Sequence, residues 1–67
     1  MFIQLNDIIL NVNEIKSIRI NSTLDGRHSI IVATSDKDLV CYVYRDRRDA
    51  QEKLNDIYKE LKEIKNG

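Results

Sequence analysis

Two hydropathy periods divide this chain. As far as Tyr44, apolar and polar residues trade places at every second position or form short apolar runs; from Asp46 onward, apolar residues recur at spacings of four and three. The first pattern predicts strands and the second an amphipathic helix. The densest apolar runs are Ser29-Ile30-Ile31-Val32-Ala33-Thr34 and Leu39-Val40-Cys41-Tyr42-Val43-Tyr44, joined by Ser35-Asp36-Lys37-Asp38. β-branched and aromatic residues favour extended backbone there. Ile30 and Val32 alternate with Ile31 and Ala33, while Leu39, Cys41 and Val43 alternate with Val40, Tyr42 and Tyr44. Both sides are apolar. A sheet with one wet face would carry polar residues at every second position, so burial on both sides is the expectation.

The preceding strand, Ile18-Arg19-Ile20-Asn21-Ser22-Thr23-Leu24, reaches this pair through Asp25-Gly26. That dipeptide suits a two-residue type I′ turn, whose central positions both need positive φ. Such a turn sets Leu24 opposite Arg27, Ile20 opposite Ile31 and Ile18 opposite Ala33. An Asp36-Lys37 turn sets Ala33 opposite Val40 and Ile31 opposite Tyr42. The expected first face is then Ile18, Ile20, Ile31, Ala33, Val40 and Tyr42. The second holds Ile30, Val32, Leu39, Cys41 and Val43, with Arg19 and Asn21 on the flanking strand. A one-residue slip would exchange these sets.

Nearer the N-terminus, Phe2-Ile3-Gln4-Leu5 and Ile8-Ile9-Leu10-Asn11 flank Asn6-Asp7 and predict a second hairpin. Pairing across its turn gathers Ile3, Leu5, Ile8 and Leu10 on one side. Val12-Asn13-Glu14-Ile15 reads as a turn of helix or a bend, with Ile15 pointing inward. In the C-terminal segment Ala50, Leu54, Ile57, Leu61 and Ile64 form one stripe with Tyr58 beside it, and Glu and Lys coat the opposite side. Asp46 with Asp49 resembles a capping box, and Asn66-Gly67 a stop. The predicted fold is α+β: a small antiparallel β-meander of four to five strands packed by one C-terminal amphipathic helix. It is read as a single domain over 1–67, with strands at about 2–5, 8–12, 16–24, 28–34 and 39–44 and a helix at about 47–65. The helix is expected on the first face, which is apolar on all three strands.

Composition narrows the function. A chain of 67 residues is near the size at which one core is marginal, and such domains gain stability from disulfides, a metal or a second subunit. One cysteine and one histidine build neither an internal disulfide nor a four-ligand zinc site. Self-association is the remaining remedy. Eleven basic and eleven acidic residues give no bulk attraction to nucleic acid or anionic lipid. The start lacks the basic and long apolar regions of a signal peptide, and no segment approaches the roughly 20 apolar residues of a membrane span. A cytoplasmic address and no membrane partner are expected. On that address Asn21-Ser22-Thr23, which fits the glycosylation pattern, is a chance match.

No catalytic motif, phosphate loop, cofactor site or metal-ligand set is recognisable. His28, the only histidine, falls at an expected exposed hairpin tip, whereas a general base needs an orienting partner and a cleft. Cys41 lies among apolar strand neighbours and reads as a small hydrophobe. Tyr42, Tyr44 and Tyr58 read as core rings with hydroxyls reaching the rim, or as an interface group. Two surfaces remain as candidates. One is an oligomer interface at Ile30, Val32, Leu39, Cys41 and Val43, since a bare patch of that kind is unusual on a monomer. The other is a basic cluster of Arg19, Arg27, His28, Arg45, Arg47 and Arg48 at strand ends, able to meet phosphate or an acidic partner; Asp46 and Asp49 sit among its arginines. The expected function is a non-enzymatic, self-associating protein-interaction module with a further protein partner, of the kind found among bacterial or phage accessory and inhibitor proteins. The alternative is a binder of nucleic acid or a phosphorylated small ligand.

The opening Leu5-Asn6-Asp7, Leu10-Asn11, Ile15 and Ile18 is similar in layout to short bacterial flagellar proteins of the FlbD/SwrD type. Asp7 stands where that family would show Gly, and the first hairpin is shorter here. The chain is not assigned to that family on this layout.

Overall fold

The computed structural model describes residues 1–66. Five antiparallel strands and one C-terminal helix form a small α+β fold. The strands divide into two sheets rather than one meander. β1 (Phe2–Leu5) and β2 (Ile8–Asn11) pair with each other. β3 (Ile15–Ser22), β4 (His28–Thr34) and β5 (Asp38–Tyr44) form a three-stranded sheet in that order. A single 3-10 turn, Val12–Glu14, links the sheets, and α1 spans Arg47–Asn66. The predicted stop at Gly67 lies outside the described residues.

The first hairpin has the predicted register. Leu5 pairs with Ile8 and Ile3 with Leu10, which turns Ile3 and Leu5 into the core and leaves Phe2 and Ile9 outside. Asn6 takes φ 59° at the turn, a left-handed conformation that Asn tolerates better than most residues. The Val12 N–H closes the open end on the Met1 carbonyl at 2.8 Å. Asn11 Oδ1 then accepts the Asn13 N–H at 3.0 Å and starts the 3-10 turn, which buries Val12. Ile15 packs against the core as predicted.

The β3–β4 hairpin departs from the expectation by one residue. The Thr23 N–H donates to the Arg27 carbonyl at 2.9 Å and the Gly26 N–H to the Thr23 carbonyl at 3.2 Å. The loop is therefore Leu24-Asp25-Gly26, a turn followed by Gly26 at φ 84°. Three-residue loops closed by a left-handed glycine are a standard alternative to the two-residue turn. Ile18 now pairs with Val32 and Ile20 with Ile30. Because side chains alternate with period two, this slip moves Ile18 and Ile20 to the face of Ile30 and Val32, and Arg19 and Asn21 to the face of Ile31.

The β4–β5 turn is also displaced. Thr34 and Lys37 close it, with the Thr34 N–H on the Lys37 carbonyl at 2.9 Å and the Lys37 N–H on Thr34 Oγ1 at 3.2 Å. Ala33 pairs with Asp38 and Ile31 with Val40. The register then shifts between Ile30 and Ile31, so that Ile30 pairs with Tyr42 and Ser29 with Val43. Cys41 is the extra residue, a β-bulge. Beyond it Tyr42 and Tyr44 join the Ile30 face, and Val43 joins the Ile31 face.

One face of the sheet is thus covered, and it is the one not expected to be. Ile18, Ile30, Val32 and Cys41 share a core with Ile3, Leu5 and Val12 from the N-terminal segment and with Ile57 and Leu61 from α1. The helix stripe is the predicted one: Ala50, Ile57 and Leu61 are buried, and Leu54 and Ile64 are half-buried. Asp46 caps α1, its Oδ1 accepting the Arg48 N–H at 2.8 Å; the return bond expected from Asp49 is not made among the described residues. Tyr58, beside the stripe, donates its hydroxyl to the Ile18 carbonyl at 2.8 Å. The placement of the helix on the first face is corrected accordingly: the Gly26 loop carries Ile18 and Ile20 to the side of Ile30 and Val32, and the Cys41 bulge adds Tyr42 and Tyr44, so that side is apolar on all three strands.

Candidate interaction surface

The five side chains expected at an interface are dispersed by this packing. Ile30 and Val32 are 0% exposed and Cys41 is 3% exposed, all inside the chain's own core. Leu39 is half-buried against them. Val43, carried to the other face by the Cys41 bulge, is 56% exposed. The uncovered face is instead built from Ile31, Ala33, Val40 and Val43, with Ser17, Arg19 and Asn21 on β3 and Asp38 at the start of β5. Val40 is 55% exposed.

A charge pair borders this apolar centre. Arg19 on one edge strand and Asp38 on the other meet at 3.2 Å. Arg19 pairs with Ile31 and Asp38 with Ala33, so the bridge spans the middle strand at its smallest side chain. Both partners are half-exposed, and a pair so placed contributes little to stability in water, about 0–1 kcal/mol. Its consequence is the charge pattern of the face: cation on the β3 side, anion on the β5 side, apolar residues beside them. A separate apolar spot lies on the outer side of the first hairpin at Phe2 and Ile9, 69% and 66% exposed.

The basic cluster is divided. Arg19 belongs to the outer face. Arg27 directly follows β3–β4 closure, and His28 pairs with Tyr44, so Arg27, His28 and Arg45 share one end of the sheet with Arg47 and Arg48 at the start of α1. Acids are interleaved. Arg27 Nε lies 3.4 Å from Asp25, and Asp46 holds the helix N-terminus. Thr23 donates its hydroxyl to Asp25; that bond first, and the Arg27 charge with it, holds the Asp25 carboxyl below its usual range. His28 Nδ1 is hydrogen-bonded to Ser22 Oγ at 2.8 Å.

Neither potential nucleophile nor metal set gathers. Burial pushes the Cys41 thiol up, with Asp7 adding to the effect, so its reactive thiolate is disfavoured. Among the described residues no three His, Cys, Asp or Glu side chains come together to hold a metal, and no helix is long and apolar enough to cross a membrane.

Two further features escape the hydropathy pattern. Asn6 bolts the first hairpin to β5: its N–H donates to the Tyr42 hydroxyl at 2.7 Å and its Nδ2 to the Cys41 carbonyl at 3.0 Å. The bulge leaves that carbonyl out of the ladder, and Asn6 satisfies it. Tyr42 also stacks on Tyr44 at 6.2 Å between centroids and lies under the Lys53 ammonium at 4.8 Å. The three tyrosines therefore do not share one site: two lie on the β5 side and Tyr58 is tied to β3. The second feature is a groove of about 500 Å³ between the β3 edge and the last turns of α1. Ile15, Ile18 and Leu61 form its apolar part, and Lys16, Lys62 and Tyr58 its polar one. Only the general cue of an edge strand beside a helix could have suggested it from sequence. No protein-family model matches this chain, and no curated protein or solved structure does either.

Proposed function

We propose that this chain is a non-enzymatic interaction module that pairs with a second copy of itself through the outer face of β3–β4–β5. The observation that carries the reading is the exposure of Val40 and Val43 beside Ile31 and Ala33, on a face that no element among the described residues covers. Exposed apolar patches of this kind mark association sites. The charge pattern suits a like partner. A two-fold interface must be complementary to itself, and Arg19 and Asp38 neutralise each other beside the apolar centre, so two copies can meet there without facing an excess of one charge.

Sedimentation at micromolar concentration tests this. The expected species is twice the 7.9 kDa chain mass. Val40→Lys and Val43→Lys should convert it to a folded monomer, while Phe2→Lys should leave the dimer intact. A wild-type monomer throughout, or dissociation by Phe2→Lys alone, overturns the proposal. The second reading, an anion site at Arg45, Arg47 and Arg48, is favoured by one observation: these side chains make no ion pair among the described residues. It requires binding of a labelled oligonucleotide at low salt that weakens steeply as salt rises.

A further inference from the structure

The two edges of the three-stranded sheet are protected unequally. On β5 the Cys41 bulge breaks the edge, and Asn6 occupies the freed carbonyl. β3, at 8 residues the longest strand, has no such cover over most of its length among the described residues. Its phase follows from the hairpin. Thr23 is a directly bonded pair with Arg27, so in an antiparallel ladder Asn21 and Arg19 also turn their backbone groups toward β4, and Ile18, Ile20 and Ser22 turn theirs outward. The Ile18 carbonyl obeys this phase, because it accepts from Tyr58 on the helix side. Among the described residues nothing is bonded to the outward groups of Ile20 and Ser22. The groove opens at the Ile15–Ile18 end of this same edge, and every charged side chain lining it is a lysine.

We propose that the β3 edge and this groove receive an extended segment of another protein in which apolar and acidic residues alternate along one face. Its backbone adds a strand beside Ile18–Ser22. Residues two apart on a strand share a face, so an apolar side chain enters between Ile15, Ile18 and Leu61 while an acidic one two positions away meets Lys16 and Lys62. Strand addition supplies affinity through the main chain, and side-chain pockets supply selectivity. A second copy is a poorer occupant. A second β3 strand (Ile15–Ser22) brings Lys16 and Arg19 and no acidic residue, whereas an acidic segment neutralises Lys16 and Lys62. This surface is separate from the outer face and does not depend on self-association.

The test uses the full chain and a short fluorescein-labelled peptide with Glu and Val in the required alternation. Two controls accompany it: a peptide with Lys for Glu, and one N-methylated at the amides that would bond β3. The Glu peptide should bind and shift the amide resonances of Ile18–Ser22. Both controls should bind about tenfold more weakly or worse, as should the Glu peptide to Lys16→Glu and Lys62→Glu, which reverse exposed charges without touching the core. Val40→Lys should bind as wild type, which separates this site from the outer face. Equal binding of the Glu and Lys peptides, full binding of the N-methylated peptide, or shifts confined to Val40 and Val43 would overturn the proposal. So would a β3-mediated dimer broken by Lys16→Glu and left whole by Val40→Lys.

Discussion

The two faces of the three-stranded sheet are close in hydropathy and opposite in fate. Ile30, Val32 and Cys41 lie under α1 and the β1–β2 hairpin. Ile31 and Val40, each one residue from a buried neighbour, and Val43, between two half-buried tyrosines, stay on the open side. Side-chain greasiness does not distinguish them. The difference comes from a left-handed glycine in the β3–β4 loop and one extra residue at Cys41. Hydropathy decides that a residue belongs to a strand, and turn closure decides which way it points.

The comparison breaks most visibly under truncation. Ile30→Ala removes a fully buried side chain and should cost about 2–5 kcal/mol. Val40→Ala, on the open face, should cost roughly 0.5 kcal/mol or less in the monomer. Urea unfolding at a concentration where wild type and variant are both monomeric reads the two directly. Similar losses would mean that the faces are equally cored and that the outer face is no docking surface.

A smaller effect sharpens the role of the turn. No atom lies within 4 Å of a Cβ placed on Gly26, so only its φ of 84° opposes a side chain there. Gly26→Ala should lose about 1 kcal/mol, and Gly26→Asn less, because Asn tolerates the left-handed region. Thermal melts of both variants check the order. If Ala and Asn behaved alike, conformational strain would not be what holds the register.

How far the chain discloses itself depends on the kind of information each element needs. The strands, the helix stripe and the first hairpin register follow from local periodicity and from Asn6-Asp7, where only one closure keeps Ile3, Leu5, Ile8 and Leu10 together. The second hairpin offers two closures. Asp25-Gly26 fits a two-residue turn as well as the second half of a three-residue loop, and with apolar residues on both sides of β4 neither closure is penalised by exposure. The Thr23–Arg27 pairing that settles it is a contact across the loop. The Cys41 bulge is less legible still, since its partner Asn6 lies far away in sequence. The candidate interface inherited both errors, which is why Val43 alone of its five members is on the open side. The groove depends on where α1 crosses β3, a tertiary fact.

The edge tie at Tyr58 offers a finer comparison between the two sides of the sheet. Tyr58→Phe deletes one hydrogen bond to the Ile18 carbonyl and should cost about 0.5–1.5 kcal/mol. Asn6→Ala removes the corresponding side-chain tie on β5 and also a residue suited to φ 59°, so its loss should be the larger of the two. Hydrogen exchange should report the damage on the matching edge: faster opening near Ile18 in the first case, near Cys41 in the second.

The smallest predicted effect lies at the loop that sets the register. Asp25 is held below its usual pKa of 3.8, first by the Thr23 hydroxyl and then by Arg27. The folded chain therefore binds this proton less tightly than the unfolded chain. The stabilisation from the charged carboxylate is complete above the unfolded value and is lost as pH falls through the lower folded one. Asp25→Asn cannot titrate, so the difference in melting temperature between wild type and variant should be level from neutral pH down to about pH 4 and shrink below it. Added salt should remove the part due to Arg27, which is an exposed pair, and spare the part due to the Thr23 bond. A difference that shrinks between neutral pH and pH 5 instead would assign the titration to another group and leave the loop's closure to Gly26 and the Thr23–Arg27 backbone bond.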